Sequence, residues 1–139
     1  MRFILFVFFT PLFFNAALTA ETTRYGIHQD LKSYPQNSPR DCLGSVLKSI
    51  KNKRFDYLLA HLIHPDLVKI ELGNQSFKEL VSEVTENFRS GRKGIALLKR
   101  IYREGEIIFF GNQAAVLRLK NGRQLQFLAK DKIWYLNRH

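Results

Sequence analysis

The chain contains a single cysteine, Cys42, among 139 residues, so it cannot form an internal disulfide. A free cysteine usually packs as a small apolar group, and we interpret Cys42 as a residue flanking a helix's apolar face rather than as a reactive thiol. Acidic residues are also scarce, with 12 Asp and Glu against 22 Lys and Arg. The net charge of +10 favours attraction to anions such as nucleic acid, acidic lipid or acidic polysaccharide, without selecting one of them.

The apolar run at the N-terminus is too short to span a bilayer as a helix, which needs about 20 apolar residues. It covers Phe3 to Phe14, follows Arg2, and leads into small residues up to Ala20. This layout is typical of a secretory signal. We therefore predict a signal peptide over residues 1–20 and a protein that is exported, either secreted or periplasmic, with no transmembrane anchor after cleavage. An uncleaved signal anchor stays open as an alternative, because Leu18 is unusual at the third position before the cut.

The rest of the chain is predicted to hold one α+β domain over residues 38–139, preceded by a tether or irregular lead-in over residues 21–37. The sequence from Ser38 to Asp41 combines a capping serine with Pro39 and an acid, which predicts the start of a first helix. Apolar residues at helical spacing predict a second helix from Phe55 and further helical segments around residues 77–88 and 95–102. Between them, residues 67–73 (LVKIELG) alternate in polarity, which predicts a half-buried strand.

A cluster of His61, His64 and Asp66 near the end of the second predicted helix is the run that most resembles an active site. At 100° per residue both imidazoles point away from the apolar stripe, and Pro65 ends the helix. We therefore expect a solvated helix end there. The alternative, a metal site, lacks a third ligand on another element, and we predict no metal.

From Glu106 onward the period changes to two, and four short runs separated by GN, NG and KD predict an antiparallel meander. We expect a three-residue loop at residues 120–122 and a two-residue turn at Lys130–Asp131, because this register gathers apolar side chains on one face. That inner face would hold Ala115, Leu117, Leu119, Leu125, Phe127, Ala129, Trp134 and Leu136. The outer face would hold Ile107, Phe109, Leu128, Ile133 and Tyr135, which predicts either a covering element or a homodimer through the outer sheet face.

Two segments, SPRDCLGSVLKSIKNKRFDYLLAHLIHPDL and GNQAAVLRLKNGRQLQFLAKDKIWYLNRH, resemble the opening helix pair and closing meander of the nuclear transport factor 2-like superfamily. The similarity is greatest to its small exported members of unassigned function. It implies helices followed by a bent antiparallel sheet, a cystatin-like cone. Enzymatic members, of the ketosteroid isomerase and polyketide cyclase types, use a carboxylate base and a Tyr or Asp donor inside the cone. The predicted inner sheet face offers no carboxylate, so we predict no catalytic residue and no cofactor, and an isomerase or cyclase-like enzyme is the third reading.

The first functional hypothesis is an exported non-catalytic module that holds an apolar ligand in the cone. Its candidate ligand-binding residues are Phe127, Trp134 and Tyr57, for which core packing is the simpler interpretation. The second hypothesis is a basic surface that binds an anionic polymer of the envelope or matrix. Its candidate residues come from two basic clusters, although solvated faces are the commoner explanation of such runs: Lys51, Lys53, Arg54, Arg89, Arg92 and Lys93.

Overall fold

A computed structural model describes residues 22–137, and the predicted signal peptide, residues 1–20, lies outside the described residues. Within this range the chain is α+β, as predicted. Its helices are α1 (Pro39–Lys51), α2 (Phe55–Tyr57), a π-helical turn (Leu58–Leu62), α3 (Pro65–Leu72), α4 (Phe77–Ser90) and α5 (Arg92–Glu104). Its strands are β1 (Thr23–Arg24), β2 (Ile27–His28), β3 (Glu106–Phe110), β4 (Ala114–Arg118), β5 (Gln124–Lys130) and β6 (Ile133–Leu136). No helix between residues 22 and 137 has the length and apolar content to cross a membrane.

The strands β3 to β6 form one antiparallel sheet in chain order, which confirms the predicted meander. Leu117 pairs with Leu125 and Ala115 with Phe127, so the three-residue loop after β4 has the predicted register. Gly122 in this loop has φ of 89°, a left-handed conformation that glycine adopts without a steric penalty.

The turn between β5 and β6 lies one residue later than predicted. Lys130 pairs with Ile133, so the turn residues are Asp131 and Lys132, both with positive φ. Two left-handed residues give the type I′ geometry that matches the twist of a hairpin. Trp134 and Leu136 still lie on the inner face, because the pairing moved by an even number of residues.

The first strand of the sheet also differs from the prediction. Ile107 pairs with Leu117, and Phe109 pairs with Ala115, so both lie on the inner face rather than the outer one. The sequence of β3 alone does not decide which side chains face inward, because four of its five residues are consecutive apolar ones. The pairing with β4 decides it.

The predicted strand over residues 67–73 is wrong, because this segment forms the helix α3. His64 acts as its N-cap, with the ring Nδ1 accepting a hydrogen bond from the Asp66 N–H at 3.2 Å, and Pro65 occupies the first turn. Capping and proline at this position favour a helix start. Gly73, with φ of 52°, ends the helix.

Helix α1 packs against β4 and β6 on the inner face of the sheet, and α5 packs against α1 and β4. The Ser38 side chain accepts a hydrogen bond from the Asp41 N–H at 3.0 Å, as the capping sequence predicts. Arg40 of α1 donates to the backbone carbonyl of Gly105 at 2.6 Å and to that of Tyr102, so its guanidinium ties α1 to the C-terminal end of α5.

The lead-in is packed rather than a free tether in its described part, residues 22–37. It begins with the β1–β2 hairpin and continues to Gln36, which is buried. The Gln36 Nε2 atom donates to the carbonyls of His61, at 2.9 Å, and Trp134, at 2.8 Å. The Trp134 N–H in turn donates to the Gln36 carbonyl at 3.0 Å. The lead-in therefore covers the outer edge of β6.

Candidate functional site

One surface depression is an apolar cleft between α5 and one end of the sheet, with a volume of about 610 Å³. We call it the apolar cleft. Its apolar walls come from α4, α5 and the strands β5 and β6: Phe88, Leu97, Leu98, Ile101, Leu125 and Leu136. Arg123 and Gln124, where the β4–β5 loop meets β5, supply its polar groups.

The helical wall of the apolar cleft follows from the sequence of α5. Gly94, Leu97, Leu98 and Ile101 recur at i, i+3, i+4 and i+7, which places them on one stripe of a helix. Ile101 is buried against the core, while Leu97 and Leu98 are half-buried. A Cβ atom added at Gly94 would meet no heavy atom within 4 Å, so the stripe faces open space at this end.

Another depression is a basic cleft of about 570 Å³ at the breaks between α1 and α2 and between α4 and α5. We call it the basic cleft. Three cations line it, Lys53 and Arg54 from the first break and Arg89 from the end of α4. Its other walls include one carboxylate and a set of apolar side chains: Asp56, Ile50, Phe55, Val81, Phe88 and Ile95. Phe88 is common to both clefts, so they adjoin.

One ion pair lies in the lining of the basic cleft. Arg54 Nε contacts Asp56 Oδ1 at 3.0 Å. Burial raises the pKa of Asp56, but the hydrogen bonds from Arg54 and from the Tyr57 N–H outweigh it, and the pKa lies below its usual value. The same hydrogen bond raises the pKa of Arg54. A carboxylate held ionised in this way is a weak proton acceptor, so Asp56 is poorly suited to general-base catalysis.

The basic residues singled out in the sequence are divided by the fold. Lys53, Arg54 and Arg89 are brought together in the basic cleft. Lys51 at the end of α1, and Arg92 and Lys93 at the start of α5, do not line it. All three residues are exposed.

The three aromatic residues predicted to bind an apolar ligand lie in the hydrophobic core. Phe127 is fully buried, and Trp134 and Tyr57 are nearly so. The Tyr57 hydroxyl accepts a hydrogen bond from the Asp30 N–H at 2.8 Å, and burial raises its pKa to about 12. None of the three lines the apolar or the basic cleft.

The expected solvated helix end at His61 is wrong, because His61 has no exposed surface. The π-helical turn carries His61 inward, and its Nε2 atom lies 2.7 Å from the carbonyl oxygen of Ile27 in β2. His64 is half-buried and caps α3. Among residues 22–137 no three His, Cys, Asp or Glu side chains gather in an arrangement that could hold a metal ion.

The walls of the apolar cleft were not identified from the sequence as a site. Phe88, Leu98 and Ile101 were recognised only as members of apolar helix stripes. The available signal is the break SGRKG between two such stripes, because it ends α4 and begins α5 just after Phe88, which lines both clefts.

In comparisons with known proteins, no family model, no curated protein and no solved structure matches the chain.

Proposed function

We propose that the protein is an exported, non-catalytic binding module whose apolar cleft takes a small apolar ligand. The observation that carries the proposal is the cleft itself, about 610 Å³ in volume with six apolar side chains in its walls. Ligand pockets are concave, mostly apolar and about 300 to 1,000 Å³ in volume, with a few polar groups that orient the ligand. Arg123 and Gln124 are suitably placed to be those polar groups.

We also propose that the domain is a cone of the nuclear transport factor 2-like type. The chain order of helices followed by a four-stranded meander supports this assignment. So does the packing of α1 against the inner face of the sheet. In that architecture the apolar cleft lies where α5 leaves one end of the sheet uncovered.

The test is a titration of the purified protein with N-phenyl-1-naphthylamine, a neutral apolar dye whose fluorescence rises in an apolar environment. Leu97→Trp should fill the apolar cleft and weaken dye binding about tenfold. The matched control is Ile70→Trp, since Ile70 is exposed on α3 and lines neither cleft. Equal binding by wild type and both variants would rule out the apolar cleft as the ligand site.

A second proposal is self-association, here through the edge of β3 in place of the predicted outer sheet face. Phe109 and Phe110 are 57% and 58% exposed. Among the described residues, the backbone of β3 makes hydrogen bonds to β4 and to no other element. A free edge with exposed apolar side chains is a template for pairing with another strand, and we propose that a second copy of this chain pairs there.

A further inference from the structure

The basic cleft combines cations with apolar walls, and this combination specifies a ligand. Lys53, Arg54 and Arg89 face one carboxylate, Asp56, so the cleft has an excess of positive charge. Arg54 is held by Asp56 and Arg89 by Glu86, each at 3.0 Å. The ammonium group of Lys53 has no ion pair among the described residues and can meet an anion without breaking one.

Lys53 stands where the backbone favours glycine. It has φ of 55°, and its N–H donates to the Ile50 carbonyl at 3.0 Å, while the next N–H, of Arg54, donates to Ser49 at 2.8 Å. These two bonds close the end of α1 in a left-handed cap, a position that glycine usually occupies. A side chain there destabilises the fold relative to glycine. Replacing Lys53 by glycine should therefore stabilise the fold.

The apolar side of the basic cleft is built from two stacked rings. The Phe55 and Phe88 centroids are 5.5 Å apart with planes inclined by 25°. Val81 and Ile95 extend this wall. A polyanion alone would leave these apolar groups without a partner, whereas an anion joined to an apolar body would use both sides of the cleft.

We propose that the basic cleft binds an amphiphilic anion, a carboxylate or phosphate group attached to an apolar chain, with the anion beside Lys53 and the chain against Phe55 and Phe88. This site is distinct from the apolar cleft and does not depend on it, although the two adjoin at Phe88.

The test is a calorimetric titration of the purified protein with sodium decanoate below its critical micelle concentration. Lys53→Gly should weaken decanoate binding about fivefold and raise the melting temperature, because it removes the charge and the strain together. Loss of binding in a more stable protein cannot result from unfolding. Arg89→Gln should also weaken decanoate binding.

The chain offers a closely matched control. Lys132 is also exposed and left-handed, with φ of 65°, but it lies in the β5–β6 turn, away from the cleft. Lys132→Gly therefore removes the same charge and the same strain and should leave decanoate binding unchanged. Equal weakening by Lys53→Gly and Lys132→Gly would show that only net charge matters and would overturn the proposal.

Further arms separate the proposed site from other binding modes. Decanoate binding that is lost in Leu97→Trp but not in Lys53→Gly would place the anion in the apolar cleft and overturn the proposal. A heparin fragment that binds with a steep salt dependence, while decanoate does not bind, would overturn it in favour of a polyanion surface.

Retention of the protein on phosphatidylglycerol vesicles, released by decanoate, would support the proposal with a lipid as the source of the anion. Decanoate binding without such retention would support a dissolved amphiphile as the source.

Discussion

The Nε2 atom of His61 donates a hydrogen bond to the backbone carbonyl of Ile27, 2.7 Å away, and so joins the π-helical turn to β2. The carbonyl can only accept, so Nε2 carries the proton. In the neutral ring the Nδ1 atom is then unprotonated and carries a lone pair. This atom has no hydrogen-bond partner among the described residues. Because His61 is fully buried, the neutral imidazole is the form that the fold accommodates.

Stability should therefore fall when the pH falls below about 6.5. Burial lowers the pKa of His61, and the charges of Arg24 and His28 lower it further, although the bond to Ile27 opposes them. The unfolded chain, with its histidine near 6.5, binds a proton before the folded chain does. The contribution of neutral His61 to the free energy of unfolding is complete above about pH 6.5. It is lost as the pH drops toward the pKa of His61 in the folded chain. Urea unfolding between pH 7.5 and 5.5 measures this slope.

The control for the pH effect is His61→Gln, whose side-chain amide can donate to Ile27 but does not titrate. It should flatten the pH dependence without abolishing it, because burial also lowers the pKa of His64. An unchanged slope in His61→Gln would exclude His61 as the source of the pH dependence.

The pairing of β4 with β5 was predictable because its register is overdetermined. Only a three-residue loop brings Leu125 and Phe127 opposite Leu117 and Ala115, and shifting by one residue would turn those side chains outward. The segment after Pro65 was not predictable in this way. Its alternation suits a strand, but the chain pairs with the edge of β6 only at Ile63 and His64. From Pro65 onward a capped, proline-initiated helix satisfies its backbone locally.

The candidate sites were less predictable than the fold, because they depend on how helices meet. The sequence identified Lys53, Arg54 and Arg89 as basic but placed them in two separate clusters. Their meeting depends on the packing of α2 against α4, which no local pattern encodes. His61 was misplaced for a related reason, since a π-helical turn changes the 100° rotation on which the helix stripe was counted.

Cys42 should not react with thiol reagents in the folded protein. It is fully buried in the core, and burial raises the pKa of its thiol to about 12. The thiolate is the reactive form, so both access and ionisation are suppressed. Labelling with 5,5′-dithiobis(2-nitrobenzoate) at pH 8 should be negligible in buffer and complete in 6 M guanidinium chloride. Rapid labelling in buffer would show that α1 opens readily from the core.

Two glycines, one at the end of α3 and one inside α5, should respond to alanine in opposite directions. Gly73 ends α3 with φ of 52°, so Gly73→Ala should lower the free energy of unfolding by about 1 to 2 kcal/mol. Gly94 lies inside α5 with open space around it, so Gly94→Ala should raise the free energy of unfolding by roughly 0.5 kcal/mol. Urea unfolding of both variants measures the contrast, and equal shifts of one sign would contradict it.

Self-association should depend on the exposed edge of β3. Phe109→Ser and Phe110→Ser each replace an exposed ring on this edge by a small polar group and should shift the protein toward monomer in sedimentation velocity at high concentration. Ile70→Ser is the matched control, since Ile70 is 67% exposed but lies on α3. If all three substitutions shift the equilibrium equally, general surface hydrophobicity drives association. If wild type is monomeric at millimolar concentration, the β3 edge does not pair with a second copy.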